Sequence, residues 1–295
     1  MVYVDLPDGK FILAVSGGVD SMVLLDVLRR KKAEFVVAHV NHGLRPDAWQ
    51  DEALVRSYTK KHNLSFVVKK ISLPPHASEE QARKERYDFL QQCRIKFKAD
   101  AIITAHHNDD LIETALINYM RGTGWRGLAP FVGGNGIVRP LLNNTKDQLI
   151  AYARKHAVQW REDSTNNNET YLRNYVRHTL IPLLDQRSKL WRQTFLQHIR
   201  KQQSLRNEIE AALNILHANK TTLTRYNVIM WPQHVATEVV QSMLRKITGS
   251  SVVRPLAEAA VLFTKTANPH KIMPISRQWQ FRVTTRKLIV EPRVT

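Results

Sequence analysis

One segment constrains this chain more than any other. Lys10–Val15 (KFILAV) is a short apolar run of strand formers. The sequence Ser16-Gly17-Gly18-Val19-Asp20-Ser21 interrupts it with a glycine turn, after which Met22, Val23, Leu25 and Leu28 recur at helical spacing. A strand that passes through a glycine turn straight into a helix opens a βαβ unit. It also makes an anion site, because the turn lets a ligand approach the backbone and the helix presents unpaired N–H groups to it. The loop has neither the lysine of the Gly-Lys-Ser/Thr phosphate loop nor the G-x-G-x-x-G of dinucleotide folds. Asp20 is itself an anion, so its place beside phosphate makes sense with Mg²⁺ between the two.

The alternation continues. Strand candidates at Glu34–Val40, Leu64–Ile71 and Ala101–Ala105 alternate with helical patterns at Ala53–Lys61, Glu79–Lys96 and Leu111–Met120. This predicts an α/β fold, a doubly wound, mostly parallel sheet with ligands beyond the carboxyl ends of its strands. Near Pro182 the alternation stops. Trp191, Phe195, Ile199, Gln202, Leu205, Ile209, Ala212 and Leu216 then form a helical stripe, a second helix is predicted over His234–Ile247, and Trp279–Pro292 reads as a β-hairpin. A chain of 295 residues has room for two domains on a prior of roughly 150 residues each, here 1–182 and 183–295.

Charge separates the two parts. The chain carries 44 Lys+Arg against 26 Asp+Glu, a net of +18. The stretch after residue 182 holds 18 of the basic residues and only 6 of the acidic ones. Such a surplus needs an anionic partner, nucleic acid first and an anionic membrane surface second. No apolar run approaches the roughly 20 residues needed to span a bilayer, so no membrane role is expected. Cys93 is the only cysteine, and MVYVDLPDGK lacks the pattern of a signal peptide, so the cytoplasm is the expected compartment.

The loop SGGVDS is similar to the signature of the pyrophosphatase-loop ATPases. Further motifs extend the likeness: His39-Val-Asn-His-Gly-Leu-Arg45, Gln81-Ala-Arg-Lys-Glu-Arg-Tyr87, Ala105-His-His-Asn-Asp-Asp110, Glu113-Thr114, Arg121-Gly-Thr-Gly124, Arg139-Pro-Leu-Leu142, Asp163-Ser-Thr-Asn166 and Arg173-Asn174. In this order they resemble the tRNA(Ile)-lysidine synthases over roughly residues 10–182. The resemblance implies a five-stranded, adenine-nucleotide alpha-hydrolase-like sheet followed by a smaller basic, mainly helical domain. It implies ATP and Mg²⁺, free L-lysine, a tRNA(Ile) with a CAU anticodon, and a homodimer as a family-based expectation. The reaction would adenylate the anticodon cytidine with release of pyrophosphate, then exchange AMP for lysine. Longer members carry a further C-terminal domain, whereas this chain ends at Thr295.

Site expectations follow. Ser16, Gly17, Gly18, Val19, Asp20 and Ser21 would hold the ATP phosphates, Asp20 with the metal. The resemblance adds His39 and Asn41 at the base and ribose, Arg83 at the phosphates, and His106 as a further ATP-binding residue. Asp110 and Glu113, three apart, share a helix face. They either complement the helix dipole with Asp109 or, as the resemblance implies, seat the lysine ammonium, which then needs a base among Glu113, Asp110 and His106. Arg173 would stabilise charge on the leaving phosphate. Arg121, Trp125 and Arg126 lie in a glycine-rich loop suited to a splayed base, although Trp125 also reads as a core anchor. Arg177, Arg192, Arg200 and Lys201 read as RNA contacts. Two alternatives are a tRNA thiolase, which a single cysteine disfavours, and a non-catalytic RNA-binding relative, which the intact loop and acids disfavour.

Overall fold

A computed structural model describes residues 2–41, 43, 47–71, 79–132, 136–161, 172–217, 221–249 and 252–293. Arg45, the motif Asp163–Asn166 and Tyr171 lie outside the described residues. The chain divides into two compact units, Met1–Ser204 and Leu205–Thr295.

The first unit opens with β1 (Lys10–Ala14), α1 (Val19–Arg30), β2 (Glu34–Asn41), α2 (Ala48–Lys61), β3 (Phe66–Lys70), α3 (Glu79–Lys96) and β4 (Ala101–Ile103). It continues through α4 (Asn108–Met120), a short turn of helix α5 (Gly124–Gly127), β5 (Ile137–Val138) and α6 (Lys146–Lys155). The sheet has the order β3-β2-β1-β4-β5, and every pairing is parallel. Strand order therefore reverses between β1 and β4, and the loops after these two strands flank the crevice where such sheets bind ligands.

Period-two alternation explains the double winding. Phe11, Leu13, Phe35, Val37 and Ile103 face α1 and α6, in a core with Met22, Leu25 and Leu149. Ile12, Val36, Ala38 and Ile102 face α3, in a core with Leu90 and Cys93. The inner strands β1, β2 and β4 bury both faces, which is why they read as unbroken apolar runs. Asp26 bolts three helices together. Its carboxylate accepts from Arg29 and Arg30 of α1, Tyr58 of α2 and Tyr152 of α6, at 2.7–2.9 Å. Burial alone would raise its pKa, but these four donors hold it far below the usual carboxylate range.

Helix α7 (Leu172–Tyr175), a π-helical turn Val176–Leu180 and α8 (Ile181–Arg187) lead into the long helix α9 (Trp191–His217). Leu196 and Ile199 of α9 pack with Leu111 and Ala115 of α4, while Leu213 joins the core of the second unit. The compact-unit boundary thus falls inside α9, and residues 183–204 lie with the first unit. The sequence-based boundary at 182 marks where charge rises instead.

The second unit adds β6 (Thr222–Thr224), α10 (Arg225–Met230), α11 (Gln233–Thr248), α12 (Arg254–Thr266), β7 (Ile272–Pro274), β8 (Trp279–Val283) and β9 (Lys287–Pro292). The hairpin expected at Trp279–Pro292 is β8–β9, and it is widened into an antiparallel sheet of order β6-β9-β8-β7. Phe281, Val283, Leu288 and Val290 face Val240, Met243, Ala257 and Val261 of α11 and α12. Arg225 is structural here, donating to the carbonyls of Thr264 and Ala267.

Candidate active site

The phosphate loop is held from within. Ser21 is buried; its hydroxyl donates to the Gly18 carbonyl at 2.9 Å and accepts from the Ser16 N–H at 3.1 Å. The Ser21 proton is committed to Gly18, so Ser16 is the donor in the 3.1 Å contact between the two hydroxyls. Ser21 therefore shapes the loop rather than offering a free hydroxyl. The side chain of Val19 is buried in the core. Gly17 has φ +98, and a Cβ there would lie 3.2 Å from Cβ of Asp51. That close backing is why glycine is required. Arg161 locks it, donating its N–H to the Gly17 carbonyl and its guanidinium to Asp51 and Asp47. No side chain caps α1, so its first-turn N–H groups point out of the loop as anion donors.

Asp20 stands in the first turn of α1, and its partner is one that sequence reading missed. Nζ of Lys146 lies 2.8 Å from both Asp20 oxygens, 126 residues away in sequence. Two ties dock the start of α6 against the start of α4. The Lys146 N–H donates to Asp109 at 2.9 Å, and the Asn108 N–H donates to the Asn144 carbonyl at 3.0 Å. Thr145 and Gln148 close a reciprocal capping box there, a pattern that marks a helix start but says nothing of Asp20.

His107 lies at the centre of the acids. Its Nε2 is 3.7 Å from Asp20 and 3.4 Å from Asp110, and its Nδ1 is 3.4 Å from Asp109. Burial opposes its charge, yet the surrounding carboxylates raise its pKa to about 10, so it is an imidazolium at neutral pH. Asp20 is correspondingly lowered: burial pushes its pKa up, and His107 and Lys146 more than offset this. Asp109 is lowered to about 2, burial again being outweighed by His107, the Lys146 N–H and Arg192.

Asp110 and Glu113 do share the face of α4, and they have distinct surroundings. His107 is the N-cap of α4, and its N–H donates to Asp110 at 3.0 Å. Glu113 is buried, and Arg177 grips it through two parallel hydrogen bonds of 2.7 and 2.8 Å. Arg177 also lies 3.9 Å from Asp110. The structure thus brings Arg177, placed on RNA from sequence, to the acid pair. Arg173 sits half-buried one turn earlier on α7. Arg192, also placed on RNA, reaches Asp109 at 2.6 Å and Asp185 at 2.6–2.7 Å.

A third group surrounds His106, whose ring packs against Phe131 at 4.9 Å and whose Nδ1 lies 2.9 Å from the Thr104 hydroxyl. Burial lowers its pKa to about 4, helped by the charges of Arg139, Arg83 and Arg86. It is neutral at pH 7, the opposite of its neighbour His107. Arg139 lies over Phe131 at 4.8 Å, while Arg83 and Arg86 lie over Tyr87 at 5.1 and 5.7 Å. The Nε of Arg139 is buried without a hydrogen-bond partner. These three guanidiniums leave a positive seat beside the acids, well suited to phosphate. Arg139 stands at the end of β5 in the Arg139-Pro-Leu-Leu142 motif, which gave the only sequence signal for it.

His39 is buried, with Nδ1 2.8 Å from the Val15 carbonyl and Nε2 unpartnered. Asn41 donates to Glu52 at 3.2 Å and accepts from the Gly43 N–H. The loop with Trp125 is not loose: α5 is pinned by Asn118 to the Gly127 carbonyl and by Thr123 to the Asn118 carbonyl, both at 2.9 Å. Arg126 stacks on Trp125 at 4.5 Å, and Arg121 is exposed at the end of α4. Arg200 is exposed and donates to Asn143, and Lys201 is exposed.

A family model for the PP-loop domain matches residues 1–184. The chain belongs to the PP-loop family. Membership implies ATP binding. Among relatives, the tRNA(Ile)-lysidine synthase of Clostridium tetani is 38% identical over 190 residues, covering 60% of this chain and 41% of that protein. That of Thermotoga maritima is 32% identical over 259 residues, covering 83% of this chain and 63% of that protein. The chain therefore spans 41% and 63% of the lengths of these two PP-loop relatives. The PP-loop fold also matches a solved U34-tRNA thiolase from Methanococcus maripaludis, with a TM-score of 0.58 at 16% identity over 68% of this chain and 74% of that one.

The reading of the loop implies a metal beside the phosphates. Among the described residues no cluster of three acidic, histidine or cysteine side chains is arranged to hold an ion. Asp20 is the only carboxylate of the loop, and Lys146 holds both its oxygens. This donor set fits a Mg²⁺ that arrives with phosphates and keeps several waters, not a resident protein-caged ion. No described helix is long and apolar enough to cross a membrane.

Proposed function

We propose that this chain joins free L-lysine to C2 of the anticodon cytidine of a tRNA(Ile) bearing CAU, using ATP and Mg²⁺. What carries the reading is the juxtaposition of two sites: an uncapped phosphate loop at α1 and an acidic pair on α4, linked through Asp20, Lys146 and His107. The curated relatives are tRNA(Ile)-lysidine synthases.

In the first step cytidine O2 attacks the α-phosphate and the bond to pyrophosphate breaks. The N–H groups of α1 hold the leaving diphosphate, and Arg83, Arg173 and the Arg139 seat offset its charge. Mg²⁺, held by Asp20 with the phosphates, would add charge neutralisation. In the second step the lysine ε-amine attacks C2 and AMP leaves. Asp110 and Glu113 seat the ammonium, with Arg177 fixing the Glu113 rotamer. The amine proton passes to the group formed by Asp110, Glu113 and the neutral His106. His39 and Asn41 would meet the nucleoside of ATP. Trp125, Arg121, Arg126, Arg200, Lys201 and the basic part from residue 183 onward would meet the RNA, the first 182 residues being the catalytic part. Cytoplasmic location and a homodimer belong to the same reading, the latter checked by sedimentation velocity.

The test mixes purified protein with ATP, Mg²⁺, radiolabelled lysine and unmodified tRNA(Ile) carrying CAU. RNA-linked lysine is expected. Its absence, with pyrophosphate release intact, would refute the lysine assignment alone.

A further inference from the structure

We propose that Lys146 is a phosphate ligand of the bound nucleotide, one that Asp20 holds in place and yields when a metal-bound nucleotide enters. The inference rests on reading the loop as an ATP site.

Three observations carry it. First, the ammonium lies within the loop's own geometry, 2.8 Å from both oxygens of Asp20. The family loop contains no lysine, so α6 supplies from 126 residues away the cation that other phosphate loops carry inside them. Second, the backbone of Lys146 is anchored in the fold while its side chain stays partly exposed. The Lys146 N–H is tied to Asp109 and the Thr145 capping box sets the helix start, yet the Lys146 and Asp20 side chains remain 40% and 28% exposed. A lysine stem on such an anchor can exchange partners without moving the helix.

Third, among the described residues the neighbouring carboxylates Asp109 and Asp110 already have cationic or N–H partners when Asp20 turns to a metal. Asp109 already accepts from the Lys146 N–H on one oxygen and from Arg192 on the other. Asp110 accepts from the His107 N–H and lies near Arg177. Phosphate oxygens resting on the α1 N–H groups are then the anions within reach.

The rival role, a strut that merely neutralises Asp20, predicts the opposite sign. Removing a strut frees Asp20 for the metal and leaves Mg²⁺-nucleotide affinity equal or higher. Calorimetric titration with α,β-methylene-ATP and Mg²⁺ separates the two. Lys146→Gln should bind about tenfold or more weakly than wild type, and Lys146→Arg should recover most of the loss. Equal or tighter binding by Lys146→Gln would overturn the proposal.

A measurement on the wild-type protein guards against a variant that fails to fold. Acetylation of Lys146 by an activated ester, read by mass spectrometry, should fall when Mg²⁺ and α,β-methylene-ATP are both added, relative to Mg²⁺ alone. A rise would mean that the ammonium is expelled to solvent and would overturn the proposal. Wild-type protein that binds no nucleotide would instead refute the ATP reading of the loop, leaving the two failures distinguishable.

Discussion

Arg177 holds Glu113 as a fork holds a carboxylate, Nε to Oε1 at 2.7 Å and Nη2 to Oε2 at 2.8 Å. The Glu113 side chain is 5% exposed and that of Arg177 35%. Removing Arg177 strands a buried carboxylate. Arg177→Met should therefore lower stability by about 2–4 kcal/mol, less than for a fully buried pair because one partner is a third exposed. The double variant with Glu113→Gln should lose much less than the two single losses combined. Urea denaturation of the four proteins checks this; simple additivity would dissociate the pair.

His107 gives the site its pH signature. Its pKa of about 10 lies above the ordinary value of 6.5. The charged ring thus contributes stability that is fully present below about pH 6.5 and fades as pH rises toward 10. His107→Gln should flatten this alkaline decline in melting temperature between pH 7 and 10. An unchanged slope in the variant would show that other groups carry it.

Arg139 should behave as an arginine kept for binding and not for stability. It is half-buried, and burial lowers its pKa. Arg139→Met should leave the melting temperature unchanged or raised, while weakening pyrophosphate binding about tenfold. The His106 pKa should rise from about 4 but stay below 6.5, because burial is the larger cause of its lowering and Arg139 only adds to it. Imidazole proton resonances followed against pH check the second effect.

The two loop glycines should part company. Gly17→Ala meets positive φ and the 3.2 Å approach of Asp51, a cost of about 1–2 kcal/mol together with a displaced loop. Gly18 has φ −72, and a Cβ there would lie 3.5 Å from the Ser16 hydroxyl oxygen, so Gly18→Ala should keep the fold. Thermal melts and nucleotide titration of both variants test the distinction.

Much of the fold was legible because local signals agreed with it. Lys10–Val15 followed by two glycines gave β1, the loop and α1, and Glu79–Lys96 emerged with its bounds unchanged as α3. Side-chain pairing across the sheet edge was not legible. The acids that Arg177 and Arg192 meet stayed hidden, because sequence displays a charge but not the carboxylate that meets it. Lys146 was passed over for the same reason: its partner Asp20 lies 126 residues away in the chain. Adjacent histidines likewise read alike, yet Phe131 and three arginines keep His106 neutral while three aspartates keep His107 charged. The stripe along α9 is continuous, so sequence could not reveal that Ile199 and Leu213 enter different cores.

The most direct test of the proposed chemistry separates its two steps. Protein, Mg²⁺ and tRNA(Ile) bearing CAU would be incubated without lysine, using ATP radiolabelled at the α-phosphate. Adenylation first predicts label on the RNA with release of pyrophosphate, then release of the label as AMP when L-lysine is added. No label on the RNA, or label lost equally fast without lysine, would contradict it.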